Sequence, residues 1–156
     1  EYKIKIYVVT GAGYKNIKSL KRSINLLSKD KFKIYYTHSA GMMSKIMSKC
    51  DVAFTSNGRT VYELSEMNIP SIVISQHERE NTHLFANKKN GFIPIGIYQN
   101  EDSIDSIEKI LLDIILKKDF RKMYYNKIKK VTFKKNKKKV IKIINSLINE
   151  KDIRTY

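Results

Sequence analysis

A chain of 156 residues with 42% hydrophobic content is long enough to fold as one packed domain, and no apolar run in it approaches the ~20 residues of a membrane-spanning helix. The formal net charge is +16, yet among 31 basic residues only Arg22, Arg59, Arg79, Arg121 and Arg154 are arginines, which argues against a nucleic-acid binder built on bidentate arginine contacts. The lone cysteine, Cys50, excludes an internal disulfide, and no Cys/His cluster has zinc-ligand spacing.

The first apolar run, Ile4–Thr10, reads as a strand. "GAGYKN" follows, Gly11 to Asn16, with two of the three glycines of the G-x-G-x-x-G dinucleotide fingerprint. Asn16 holds the third place, where glycine permits close helix–strand packing, and the next strand, Phe32–Thr37, runs into Thr37-His38-Ser39 with no acid for a ribose. The stretch is therefore expected to be a tight turn with glycine at positive φ, not an NAD site. Ile17, Leu20, Ile24 and Leu27 then share one helical face. Met42, Met43, Ile46 and Met47 form a second stripe, expected in the core. Cys50 is expected to be a small buried hydrophobe in a reducing, cytoplasmic setting.

Val52–Thr55 reads as the third strand, and Val61 and Leu64 mark a short helix after it. That helix stops at Asn68-Ile69-Pro70, because Asn tolerates the left-handed conformation and Pro blocks continuation. The fourth strand, Ser71–Ser75, ends in the polar cluster "QHERENTH", Gln76 to His83. Glu80-Asn81-Thr82 is expected to open the next helix, carrying Leu84, Phe85 and Lys88, before a fifth strand at Phe92–Ile95. Strands alternating with helices predict an α/β fold, a Rossmann-like parallel sheet with flanking helices. After Gly96 the pattern is helical: Ile104 to Ile115 with Ser103 or Asp102 as N-cap, then Phe120–Ile128, then Val140 to Ile148. Residues 1–100 thus read as the Rossmann-like domain and 101–156 as a helical C-terminal segment.

Asp51 to Ser75, "DVAFTSNGRTVYELSEMNIPSIVIS", holds the candidate site. Ser56-Asn57-Gly58 falls where a strand turns into a helix, and Gly58 lets backbone approach a ligand closely. Free amides near Arg59 and Thr60 would face an anion, with Arg59 adding positive charge. Thr60 and Glu63 also have the S/T-x-x-E spacing of a capping box, so capping alone is the competing reading. Two consecutive parallel strands place this turn and the Gln76–His83 cluster on the same sheet edge.

These residues resemble the C-terminal domain of GT-B nucleotide-sugar enzymes, in particular the lipid II-forming N-acetylglucosaminyltransferases and the UDP-sugar hydrolase of pseudaminic acid synthesis. The shared pattern is D-x-x-x-x-(S/A)-x-G/A-x-T-x-x-E-x-x-x-x-G-x-P, then a strand and a polar helix start. Here it reads "DVAFTSNGRTVYELSEMNIP" and "SIVISQHERENTHLFANKKNGFIPIG", with Asn68 in the place of the family's Gly and no clear Gln in the second cluster. The resemblance implies half of a GT-B fold. Ser56, Asn57, Gly58, Arg59 and Thr60 would take the diphosphate, and Glu63 the ribose hydroxyls. Glu80, Asn81 and Thr82 would approach the nucleotide and sugar. It implies a UDP-sugar as partner and no metal or further cofactor. The family's first strand with its Gly-rich loop, and the N-terminal GT-B domain with its catalytic base, have no counterpart in this sequence; the chain opens with Glu1, and further sequence is expected upstream. Among family activities, the short interval from the first strand to Asp51 favours the hydrolase of nonulosonic sugar synthesis over the membrane glycosyltransferase.

A reading of another class is a non-catalytic basic module. Abundant Lys, Asn and Ile fit an A/T-biased coding sequence, so a solvated basic surface comes first, anionic membrane second and nucleic acid last. "KKNKKK", Lys134–Lys139, with Lys127–Lys130 would hold anionic lipid, peripheral to the inner membrane, or nucleic acid; cations oppose a helix N-terminus, so the Lys134–Lys139 run is expected to fray or to take an anionic partner.

Overall fold

The computed structural model describes residues 4–27, 32–99 and 102–153. The chain divides into two compact units, Glu1–Lys49 and Cys50–Tyr156.

In the first unit β1 (Ile4–Thr10) and β2 (Phe32–His38) pair in parallel, connected through α1 (Ile17–Leu27). A helical crossover is what allows adjacent strands to run the same way. The register sets Tyr7 against Tyr35, and their rings stack with centroids 4.9 Å apart. Ile17, Leu20 and Ile24 are half-buried on one face of α1, whereas Leu27 is 62% exposed, so the apolar stripe serves three positions and not four. The turn after β1 closes through Tyr14 N–H donating to Gly11 O at 3.1 Å. Neither Gly11 nor Gly13 has a positive φ, and a Cβ on either would touch nothing within 4 Å; the expected conformational need for glycine is absent there. α2 (Met43–Met47) follows. Of the methionine stripe only Met47 is buried, Met43 and Ile46 are half-buried, and Met42 is exposed.

In the second unit β3 (Ala53–Ser56), β4 (Ser71–Ser75) and β5 (Phe92–Ile97) form a parallel sheet with β4 in the centre. α3 (Thr60–Glu66) connects β3 to β4; α4 (Glu78–Asn81) and a 3₁₀ turn (Lys88–Asn90) connect β4 to β5. α5 (Asp102–Leu116), α6 (Lys118–Ile128) and α7 (Lys134–Ile153) complete the order. The α/β class with parallel strands and helices between them is the one read from the sequence.

Strand residues alternate between faces, and both faces of β4 are covered. Val73 and Phe92 pack with Val61, Ala86 and Ile128 on one face. Ile72 and Ile93 pack with Ile114 and Tyr124 on the other. Double coverage explains why Ser71–Ser75 reads as a continuous apolar run and not as an alternating one. Each such buried side chain contributes about 1.5–3 kcal/mol relative to exposure.

α6 reaches both clusters, through Tyr124 and Ile128. Gly91 permits this: its φ is +86°, and a Cβ there would lie 2.6 Å from both N and Cβ of Ile128. Arg121 Nη1 ties α6 back to α5 by donating to Ile114 O at 2.9 Å and Ile115 O at 2.8 Å, carbonyls at the end of that helix.

α3 ends as its sequence dictates. Asn68 is left-handed at φ 58°, Asn68 N–H donates to Ser65 O at 3.0 Å, and Ile69 N–H donates to Leu64 O at 2.9 Å. That is a Schellman motif, and Leu64 and Ile69, its C3 and C″ residues, are both buried.

Two helix starts differ from expectation. α5 begins at Asp102, so neither Asp102 nor Ser103 precedes it as a cap. α4 begins at Glu78, and Leu84 and Phe85 lie in irregular chain after it. Lys134–Lys139 are helical from the first residue. Among the described residues no helix is long and apolar enough to cross a membrane.

Candidate functional site

β3 and β4 end side by side, since Thr55 pairs with Val73 and Ser56 with Ile74. Ligands of open parallel sheets gather at this carboxyl edge. From β3 the chain turns through Asn57, Gly58 and Arg59 into α3; from β4 it turns through Gln76 and His77 into α4.

Asn57 joins the two turns. It is only 5% exposed. Its Nδ2 donates to Glu80 O at 2.8 Å and to His83 O at 3.1 Å. His83 Nδ1 lies 2.7 Å from Asn57 O. A carbonyl oxygen only accepts, so Nδ1 carries the proton and a neutral His83 keeps its lone pair on Nε2. The Oδ1 of Asn57 is buried without a partner among the described residues.

Glu80 turns its carboxylate toward the first loop. Oε2 accepts from Gln76 N–H at 2.9 Å. Oε1 lies 3.8 Å from where a Cβ on Gly58 would stand, and Ser56 Oγ lies 3.4 Å from the same point. Beside this acceptor, the amides of Gly58, Arg59 and Thr60 donate to no protein atom among the described residues.

The capping box is not formed. Arg59 is the N-cap, with helical φ −67° and ψ −27° and no side-chain cap bond. Thr60 is the first helical residue, one place too late for its hydroxyl to cap. Glu63 is exposed and, among the described residues, makes no hydrogen bond or ion pair with the Gly58 loop. Nor does Glu80-Asn81-Thr82 open a helix. His77 caps α4, its Nδ1 accepting from Glu80 N–H at 3.3 Å, and Thr82 closes the helix with its Oγ1 donating to Arg79 O at 2.8 Å.

Of the expected site residues, the fold brings together Ser56, Asn57, Gly58, Glu80 and Asn81. Arg59 holds the helix start with an exposed side chain, and Glu63 and Thr82 stand outside the hydrogen-bonded group. His83, Ser75 and Asn87 were not singled out from sequence, yet with Asn57 and Asn81 they line a cavity of about 170 Å³ at this edge. The signal for His83 was its place at the end of the polar run after β4. A second cavity, about 330 Å³, lies at the amino edge between Cys50, Asn68, Pro70, Arg121 and Tyr125. Burial, and secondarily the charge of Asp51, pushes the Cys50 thiol up, so it is a poor nucleophile. Among the described residues no group of His, Cys, Asp and Glu could hold a metal ion.

Parallel βαβ segments with a polar carboxyl edge define an α/β protein of Rossmann-like arrangement. No family model, no curated protein and no solved structure matches the chain.

Proposed function

We propose that the carboxyl edge of β3 and β4 binds a UDP-sugar, and that the parent enzyme cleaves the bond between sugar and diphosphate. The observation that carries this reading is the pairing of Gly58 with Glu80. Unpaired amides at Gly58, Arg59 and Thr60 suit anionic oxygen, while the Glu80 carboxylate beside them suits hydroxyl donors. A sugar joined to a diphosphate brings both groups within a few ångströms of each other. Uridine as the base and attack at the anomeric carbon come from the resemblance in the 51–91 stretch.

In this reading the edge stabilises the departing diphosphate electrostatically, through amides and Arg59, and Glu80 orients the sugar. The base that activates water or an acceptor hydroxyl is assigned to an N-terminal GT-B domain. Hydrolysis in nonulosonic sugar synthesis is the preferred activity and sugar transfer in cell-envelope synthesis the alternative.

Titration with UDP, CMP and ADP, followed by amide resonances, tests it. UDP should move Gly58, Arg59 and Thr60 saturably and more strongly than the other two. Shifts confined to other parts of the chain, or none, would overturn the assignment.

A further inference from the structure

We propose that α7 attaches this protein to an anionic lipid surface. The helix is held at its start. Phe133, immediately before it, packs against Phe85 at 5.7 Å and Tyr62 at 6.2 Å between ring centroids, and Lys137 N–H donates to Phe133 O at 3.0 Å. Beyond that anchor every residue from 136 to 148 is exposed.

Exposure would be unremarked on a polar helix, but Val140, Ile141, Ile143, Ile144, Leu147 and Ile148 are each 47–57% exposed. At 100° per residue these six fall within one arc of less than half the circumference. A contiguous apolar stripe of this kind marks a contact surface. Lys138, Lys139 and Lys142 occupy the opposite side, and no Asp or Glu occurs from Lys134 to Asn149.

Two chemistries on one helix select the occupant. Nucleic acid would neutralise the lysines and leave six apolar side chains in water. A second copy would cover the stripe but bring another chain of net charge +16 against the first. An anionic bilayer takes both, with the apolar arc at the acyl boundary and the lysines among acidic headgroups. The helix then lies in the interface and does not span it.

Co-sedimentation of the full chain tests this with two vesicle types: phosphatidylcholine alone, and a roughly 2:1 mixture with phosphatidylglycerol. Binding is expected only to the mixture. Ile144→Asp with Leu147→Asp should reduce it at least tenfold while changing the net charge little, and circular dichroism should show the rest of the chain still folded, because neither side chain is buried. Lys138→Glu with Lys139→Glu and Lys142→Glu should abolish it. Unaltered binding in the aspartate variant would assign attraction to the basic surface as a whole and overturn the proposal. So would equal binding to both vesicle types, binding to an oligonucleotide but to neither vesicle, or a dimer that the aspartate variant dissolves without any vesicle binding.

Discussion

The ring of His83 donates to the carbonyl of Asn57 at 2.7 Å, and the side-chain amide of Asn57 donates to the carbonyl of His83 at 3.1 Å. The two residues are 26 apart in sequence and fasten the turn after β3 to the segment after β4. Main-chain carbonyls are the acceptors at both ends, so only a donor at each position maintains the link.

Replacing Asn57 should therefore separate two effects. Asn57→Ala takes the side-chain donor from both carbonyls, leaving Glu80 O with only the His83 N–H and His83 O without its amide partner, at a cost of about 1–3 kcal/mol. Asn57→Asp puts a charged acceptor against the same two carbonyls and should cost more. Urea denaturation of both variants ranks them, and equal stability would deny the bond its role.

Glu80→Gln tests what its carboxylate recognises. Removing the negative charge near Gly58 should leave UDP affinity unchanged or raise it, while UDP-sugar affinity falls several-fold, because the one oxygen that remains cannot serve both Gln76 N–H and a sugar hydroxyl. Calorimetric titration with both ligands reads the difference. A parallel fall for UDP and UDP-sugar would place the carboxylate's effect on the nucleotide half.

Gly91 and Gly96 offer a controlled pair. Both have positive φ, +86° and +93°, but only a Cβ at 91 meets Ile128, at 2.6 Å, while one at 96 meets nothing within 4 Å. Gly96→Ala should cost about 1–3 kcal/mol from backbone strain alone. Gly91→Ala adds a clash with backbone and should cost about 1–3 kcal/mol more, or prevent folding. Thermal melts of the two variants should differ accordingly.

Cys50 should alkylate slowly. Burial and the neighbouring Asp51 raise its pKa, so at any given pH a smaller fraction is thiolate. The rate with iodoacetamide at pH 8 should be lower in the native chain than in urea, and its inflection with pH should lie higher. Identical profiles would show a thiol that the fold does not shield.

The strands were legible because each leaves a short apolar run bounded by turn residues; β4, covered on both faces, is the clearest. The end of α3 was legible because Asn68 and Pro70 act locally. The beginning of α3 misled: Thr60 and Glu63 have capping spacing, but a capping box works only if Thr60 lies outside the helix, and it lies inside. α4 was misplaced because Gln76–His83 is polar throughout and has no apolar period to show where turns begin. His83 escaped notice for a different reason. Its partner is the backbone oxygen of Asn57, which every residue type possesses, so no pattern of side chains encodes the bond.

Tyr124 and Ile128 close opposite faces of one sheet, which makes α6 the last element among the described residues to enter either buried cluster. A stop codon after Phe133 would delete no side chain that belongs to either cluster. Substitutions at Tyr124 and Ile128 are thus under the constraint of the sheet, whereas the described side chains of α7 belong to neither cluster.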